Sequence, residues 1–456
     1  VKELNSRLKS KMLLKIFMVT IIPLSYGNFA YGRKYDNYTL YNLYAKEIEH
    51  LEFFNNLAKQ KYLDVMFWSK PKKLLDPVQL MVSPTDKELL KERIEHFKVP
   101  AETLLLDVQK AFDNQITQQY HRSQIDTYVW DYYHSLDDIY QWLIDISMKN
   151  SNKTILENIG RSSEGRDIYA ITINPNEGLN KAIVVGGVHG HEWISVEFVT
   201  YLINKLINAK KYSGDKKILH IASKLTWHLI PVVNPDGLDY TMKNDRLWRK
   251  NRRVTSGAIG VDLDRNFDFS FCKHDSSRDP GDDFYCGPEP FSEPETKALG
   301  NFITKNRNNL KYYFAITAYG ERIVIPYADR IRHTENFSEM ENYAKQAALR
   351  ISNQFGTRFK IGTSFDTFGR RMSGNSASWV KKIFKTPYVF TIYLRDNGTY
   401  GHALPPSQIV PTCEETLTGI TELMTVKPRH VSYNNALTTK FGFVFIEMCS
   451  LFILLK

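Results

Sequence analysis

The spacing of apolar residues changes character near residue 128. Before that point the periods are short and mixed. YDNYTLYNLYA alternates as a half-buried strand should, and AKEIEHLEFFNNLAKQ repeats its apolar residues at helical spacing. YLDVMFW and PVQLMVSP read as short strands. DKELLKERIEHFKV reads as a helix opening near a Thr85-Asp86 cap, with LLLDVQKAFDNQ behind it. Residues 33–115 are therefore expected to form a small α+β unit. QITQQYHRSQI, 115–125, is polar without an apolar period, so 116–127 is taken as a linker.

From Tyr128 onward, strands and helices alternate. DIYAITIN, KAIVVGGV, KLTWHLIPVVN, KYYFAITAYG and YVFTIYLRD read as strands, DDIYQWLIDISMKN and EFVTYLINKLINAKK as helices. This order predicts a mixed or mostly parallel sheet with helices on both faces, over 128–430. Ligands of such sheets sit outside the carboxyl ends of strands. GGVHGHEW, PVVNPDG, FAITAYG and FTIYLRDNG all fall at strand ends, which favours one site in one domain.

The two ends differ from the rest. Lys9, Lys11 and Lys15 flank the apolar run LLKIFMVTIIPLSYG, and small residues follow at Ser25 and Gly27. This reads as a signal peptide over 1–27, with Met12 a candidate initiator. Export is then expected, to an extracellular location. Sequons at Asn37, Asn152, Asn336 and Asn397 and a loop bracketed by Cys272 and Cys286 suit that setting, the loop closing as one disulfide. The 431–456 tail ends in FGFVFIEMCSLFILLK, shorter than the ~20 residues of a membrane span and interrupted by Glu447. Membrane attachment would need this tail to be an anchor signal, which its short spacer fits poorly. The chain has 456 residues, 24% charged, with a net charge of +10. The basic residues form no nucleic-acid motif, so a solvated basic surface and a monomer are expected.

The chemistry begins at GGVHGHEW. His189 and Glu192 stand three apart at the exit of a buried strand, a spacing that can hold a metal. With IGRSSEGRDI, PVVNPDGLDY, RLWRKNR, GVDLDRNF, GPEPFSEPET, LRDNGTYG and LPPSQIVPTCEET, the chain resembles the secreted zinc carboxypeptidases of the pancreatic A/B type over nearly its whole length. The resemblance implies a three-layer α/β/α domain around a mixed, mostly parallel eight-stranded sheet. It also implies that 33–115 is an inhibitory pro-domain, released by cutting in the linker, where Arg122 is the basic residue for a trypsin-like protease. One zinc is implied, held by His189, Glu192 and a distant third histidine.

Position by position, the implied site is altered. Thr317 stands at the third ligand, and a neutral hydroxyl is a poor zinc donor. Tyr393 stands at the general base, and a phenol near pKa 10 is no base at neutral pH. Arg249 matches the oxyanion arginine and Arg265 the carboxylate-binding one, but Asp264 replaces the neighbouring asparagine and His191 an arginine. Tyr319 belongs to the same substrate-binding set. Arg370 falls at the mobile tyrosine, and Ala377 and Ser378 fall where side-chain preference is set. Zinc is expected to be weak or absent. His191 or His402 could stand in as a ligand. Three readings follow. One is a catalytically inactive homologue that keeps the fold and binds peptide or protein C-termini. Another is a divergent active metallocarboxypeptidase. The third is a structural or partner-binding secreted protein whose cleft is shut. An empty site is expected to leave Glu192 paired with Arg249 or Arg265.

Overall fold

The computed structural model describes residues 32–425 apart from 61, 70–73, 121–127, 177, 213–215, 256 and 332, and only the backbone of 117–120. The signal peptide with Met12, Arg122 and the 431–456 tail lie outside the described residues.

The N-terminal unit is a four-stranded antiparallel sheet, β1 (Thr39–Tyr44), β2 (Val65–Ser69), β3 (Pro77–Val82) and β4 (Ala101–Leu105), in the order β2-β3-β1-β4. Alternation along β1 and β3 sends Leu43, Leu80 and Val82 to one face. There they pack on Phe53, Phe54 and Leu57 of helix Ile48–Ala58 and on Leu90 and Ile94 of helix Lys87–His96. Leu40 and Met81 point to the other face, against Phe112 of helix Val108–Tyr120.

Two expectations are corrected here. Asp86 holds the N-cap position of its helix but does not cap it, because its carboxylate accepts from the Asp64 backbone N–H at 2.9 Å. The linker expected over 116–127 is helical as far as Tyr120. QITQQY contains neither proline nor glycine, so nothing local stops a helix started by Val108 and Phe112.

The larger unit holds an eight-stranded mixed sheet. Its strands are β5 (Thr154–Arg161), β6 (Asp167–Ile173), β7 (Asn180–Val185), β8 (Leu225–Ile230), β11 (Leu310–Thr317), β12 (Arg322–Val324), β13 (Lys360–Gly362) and β14 (Tyr388–Tyr393). The two-residue strands β9 (Val254–Thr255) and β10 (Ala258–Ile259) form a separate hairpin. The order β13-β12-β14-β11-β7-β8-β6-β5 places β7, β8, β11 and β14 centrally and mutually parallel. Buried on both faces, β7 runs continuously apolar from Ala182 to Val185, while the equally buried β8 carries Thr226 and His228 among its apolar residues. Ile183, Val185, Ile230, Phe267, Phe269, Tyr313 and Trp379 build the core on one side of the sheet. Helix Leu136–Lys149 opens with a reciprocal cap, the Ser135 hydroxyl accepting from the Asp138 N–H and the Asp138 carboxylate from the Ser135 N–H.

Cys272 and Cys286 form a disulfide across 14 residues of chain. Closing a loop of this length removes entropy from the unfolded chain, worth about 3 kcal/mol. Replacing both cysteines by serine is expected to lower unfolding stability by about that amount in urea titrations. An unchanged midpoint and slope would contradict it.

Candidate functional site

β7 runs into Gly186 and Gly187. A Cβ on Gly187, which has φ +58°, would sit 2.8 Å from the Pro231 carbonyl, so only glycine lets the chain turn this close to β8. The turn delivers His189 and Glu192 at the start of helix Trp193–Ile207, with the Glu192 N–H donating to the His189 carbonyl at 3.2 Å. Both side chains are buried.

The two side chains are fully partnered. His189 Nδ1 lies 2.8 Å from Glu192 Oε1, and its Nε2 lies 3.0 Å from Asp262 Oδ1. Burial and the Arg249 charge pull the imidazole down, but Glu192 and Asp262 outweigh them and raise it to about 9. At neutral pH both ring nitrogens carry protons and donate. The Thr317 hydroxyl donates to Glu192 Oε2 at 2.7 Å. The expected Glu192 ion pair with Arg249 or Arg265 is therefore corrected: His189 and Thr317 are its partners, and Arg249 donates to Asp262 Oδ2 at 3.0 Å. Asp262 was not singled out in the sequence, although it stands two residues before Asp264 in GVDLDRNF. Burial disfavours its charge, yet Arg249, His189 and Arg265 hold it well below the usual carboxylate range.

Thr317 and Tyr393 end β11 and β14 and face each other in register. Burial and Asp264 push the Tyr393 phenol up to about 12. Its ring packs edge-on against Phe368, and its hydroxyl reaches Met372 Sδ at 4.0 Å. Asp264, half-buried, is pushed up by loss of solvation to about 6 against the opposing charge of Arg265. Arg265 donates to the Asp264 carbonyl at 3.0 Å and to Asp275 Oδ2 at 3.0 Å. Arg370 donates to the other Asp275 oxygen at 2.7 Å. Asp275 was also missed. It lies in the disulfide loop, where an aspartate among glycine and serine reads as a turn residue.

His189, Glu192, Arg249, Asp264, Arg265, Thr317, Tyr319, Arg370, Tyr393 and His402 share one cavity of about 630 Å³. Ala377 and Ser378 do not line it. Both are buried in helix Ser376–Phe384 beside a space of only about 20 Å³, which Met372 and Tyr393 also line. Ser378 accepts from the Ala328 N–H at 3.1 Å. The structure places the two stand-in candidates side by side. His191 and His402 pack against each other at 4.1 Å between ring centroids, and the His191 ring nitrogens have no hydrogen-bond partner among the described residues. Burial pushes both well below the ordinary imidazole value, helped by His402 for His191 and by Arg246 for His402. Of the sequons, Asn37, Asn152 and Asn397 are exposed. Asn336 is engaged by Lys381 Nζ and the Pro387 carbonyl.

Residues 139–419 match the family model for zinc carboxypeptidase, and residues 41–115 that for carboxypeptidase activation peptide. The chain belongs to the zinc carboxypeptidase family. It is 30% identical to zinc carboxypeptidase A 1 of Anopheles gambiae, over 92% of this chain and 96% of that one. It is 32% identical to carboxypeptidase B of Canis lupus familiaris, over 88% and 96%. A crystal structure of thrombin activatable fibrinolysis inhibitor superposes with TM-score 0.79 at 26% identity, covering 85% of this chain and 98% of that one. The family fold thus extends over both units, with the activation peptide domain N-terminal.

Membership implies zinc, and the donors here do not fit it. His189 Nδ1 and Glu192 Oε1 are hydrogen-bonded to each other, and the group that completes the set is a hydroxyl that donates rather than coordinates. Among the described residues no three histidine, cysteine or acidic side chains are grouped to hold a metal ion.

The raised His189 sets a pH dependence. Its folded value of about 9 exceeds the ordinary 6.5, so the pair's contribution is fully present below about 6.5 and is lost as pH rises through about 9. Unfolding free energies of the metal-free chain are expected to fall between pH 7 and 10. His189→Gln should flatten that part of the profile, and an equally steep fall in the variant would contradict the assignment.

Proposed function

We propose that this zinc-carboxypeptidase-family protein is a non-hydrolytic member, exported from the cell, whose cleft holds anionic C-terminal groups without cutting the peptide. The observation that carries the reading is the Thr317 hydroxyl on Glu192 Oε2, opposite the His189 contact on Oε1. The third position offers a neutral hydroxyl, a poor zinc donor, and spends its proton on Glu192. Tyr393 compounds this. A phenol pushed up to about 12 takes no proton from water at neutral pH, a loss of about 10²–10⁴ in rate by itself.

Binding is a separate matter from cutting. Arg249, Arg265 and Arg370 all line the cavity, so a peptide carboxylate meets guanidinium groups there. Each already has a carboxylate partner, which weakens that pull. The closed space at Ala377 and Ser378 leaves no room for a large terminal side chain. Export is supported by the basic-apolar N-terminal run, the exposed sequons and the Cys272–Cys286 disulfide. Among the described residues no helix is long and apolar enough to cross a membrane.

Zinc per chain, read by atomic emission on protein purified without added metal, is expected well below one and not restored by added zinc. Hydrolysis of C-terminal peptide substrates should be undetectable. Thr317→Glu, Thr317→His and the double variant Thr317→His with Tyr393→Glu separate the defects. The histidine should raise zinc content, and the double variant should be the first to show turnover. Near-stoichiometric zinc in the unmodified chain, lost in His402→Ala together with measurable hydrolysis, would establish the divergent active enzyme instead.

A further inference from the structure

Cations line the cleft in two groups. Arg249, Arg265 and Arg370 each have a carboxylate partner. Arg322, Arg358 and Lys360 line the same cavity, and among the described residues none of them has an acid within ion-pair distance. Strand register explains where the second group stands. Lys360 of β13 pairs with Arg322 of β12, Arg322 with Tyr393 of β14, and Tyr393 with Thr317 of β11. Residues in register point to the same face of a sheet. Lys360, Arg322, Tyr393 and Thr317 thus form one row across four strands, and all four line the cavity. At about 4.8 Å per strand the row runs about 14 Å from Thr317 to the edge strand, roughly four residues of extended peptide.

Arg322 is held in place without being neutralised. Its Nη1 donates to the Gly320 carbonyl at 2.6 Å and its Nε to the Thr367 carbonyl at 3.2 Å. Gly320 has φ +141°, and a Cβ there would overlap Nη1, so glycine is what lets the guanidinium fold back on its own turn. The Phe368 ring lies under both Arg322, at 4.3 Å, and Arg370, at 5.8 Å. Nη2 of Arg322 donates to nothing among the described residues, and the buried Nε of Arg370 has no acceptor there. Carbonyl groups and a ring face orient a guanidinium but leave its net charge uncancelled. The acids that share this part of the cavity are Asp76, Glu102 and Glu321. Burial pushes Glu321 up to about 7, so it carries only part of its charge at neutral pH.

We propose that Arg322, Arg358 and Lys360 form a ledge that holds acidic side chains of a peptide ligand. An anion settling there breaks no existing ion pair, unlike one settling at Arg249, Arg265 or Arg370. The inference deepens the C-terminus-binding reading and rests on it only for the ligand's direction. With the terminal carboxylate at the paired arginines, the row places Asp or Glu about three to five residues before the end.

The test reads binding rather than hydrolysis, by fluorescence polarisation of labelled Gly/Ser peptides on the full chain. One peptide carries a pair of glutamates upstream of a free C-terminus, a second has glutamines in their place, and a third is the glutamate peptide with an amidated end. The glutamate peptide is expected to bind roughly tenfold tighter than the glutamine peptide at low salt, an advantage that shrinks as salt rises. Arg358→Gln and Lys360→Gln alter exposed residues that the fold does not need. Each should weaken the glutamate peptide by about threefold and leave the glutamine peptide unchanged. Arg322→Gln should remove most of the advantage, and Asp76→Asn or Glu102→Gln should increase it. Equal binding of the glutamate and glutamine peptides overturns the inference, as does an advantage that survives all three ledge substitutions together. The amide separates the two readings. Binding lost on amidation with no glutamate preference overturns the ledge alone. A glutamate preference kept in full by the amide supports the ledge and overturns only the C-terminal reading.

Discussion

Asp262 is a carboxylate with no exposed side-chain surface, and it accepts hydrogen bonds from His189, Arg249 and the Asp264 backbone N–H. A charge taken this far from water survives only when its oxygens are filled by donors, and here they are. In filling them it fixes three things at once. It orients the His189 ring, it holds the Arg249 guanidinium at the edge of the cavity, and it starts the 3-10 turn Leu263–Arg265 that carries Asp264 and Arg265. The site keeps its shape through this anion, whatever occupies the cleft.

The same bookkeeping of charge runs through the cleft. Arg265 lies between Asp264 and Asp275, and Arg370 shares Asp275 with it. The cations that a peptide carboxylate would seek are already met by acids of the chain. A ligand must offer more than a single negative charge to displace them, so affinity rests on fit to the cavity as much as on Coulomb attraction.

Much of this was legible in the sequence, and the rest was hidden for physical reasons. The central strands could be read because burial on both faces favours continuous apolar runs, as in Ala182–Val185 of β7 and Tyr312–Ile316 of β11. Thr317 and Tyr393 could be placed because the family resemblance aligns them, each at the end of such a run. Asp262, Asp275 and Gln79 could not. Each is a polar residue whose meaning lies in a partner remote along the chain, and local spacing carries no trace of a contact such as Gln79 with Gly398, 319 residues away. The Glu192 partner was misread for that reason: arginines were the visible candidates, whereas a buried aspartate had already taken Arg249. The helical start of the supposed linker was missed because a helix with few apolar residues has no period to detect.

Asp275 sits inside the loop that Cys272 and Cys286 close. That loop carries a carboxylate serving two arginines, Arg265 and Arg370, and is tied to the rest of the cleft through His274 and Ser373. The covalent link is therefore also an electrostatic device. While it is closed, the floor of the cleft is held near neutrality. In a chain kept in a reducing compartment that carboxylate would lose its covalent anchor, and Arg370, whose acidic partner is Asp275, would be the less firmly covered of the two cations. An oxidising environment thus contributes more than stability to this protein: it helps fix the counter-charge that a ligand meets beside Arg370.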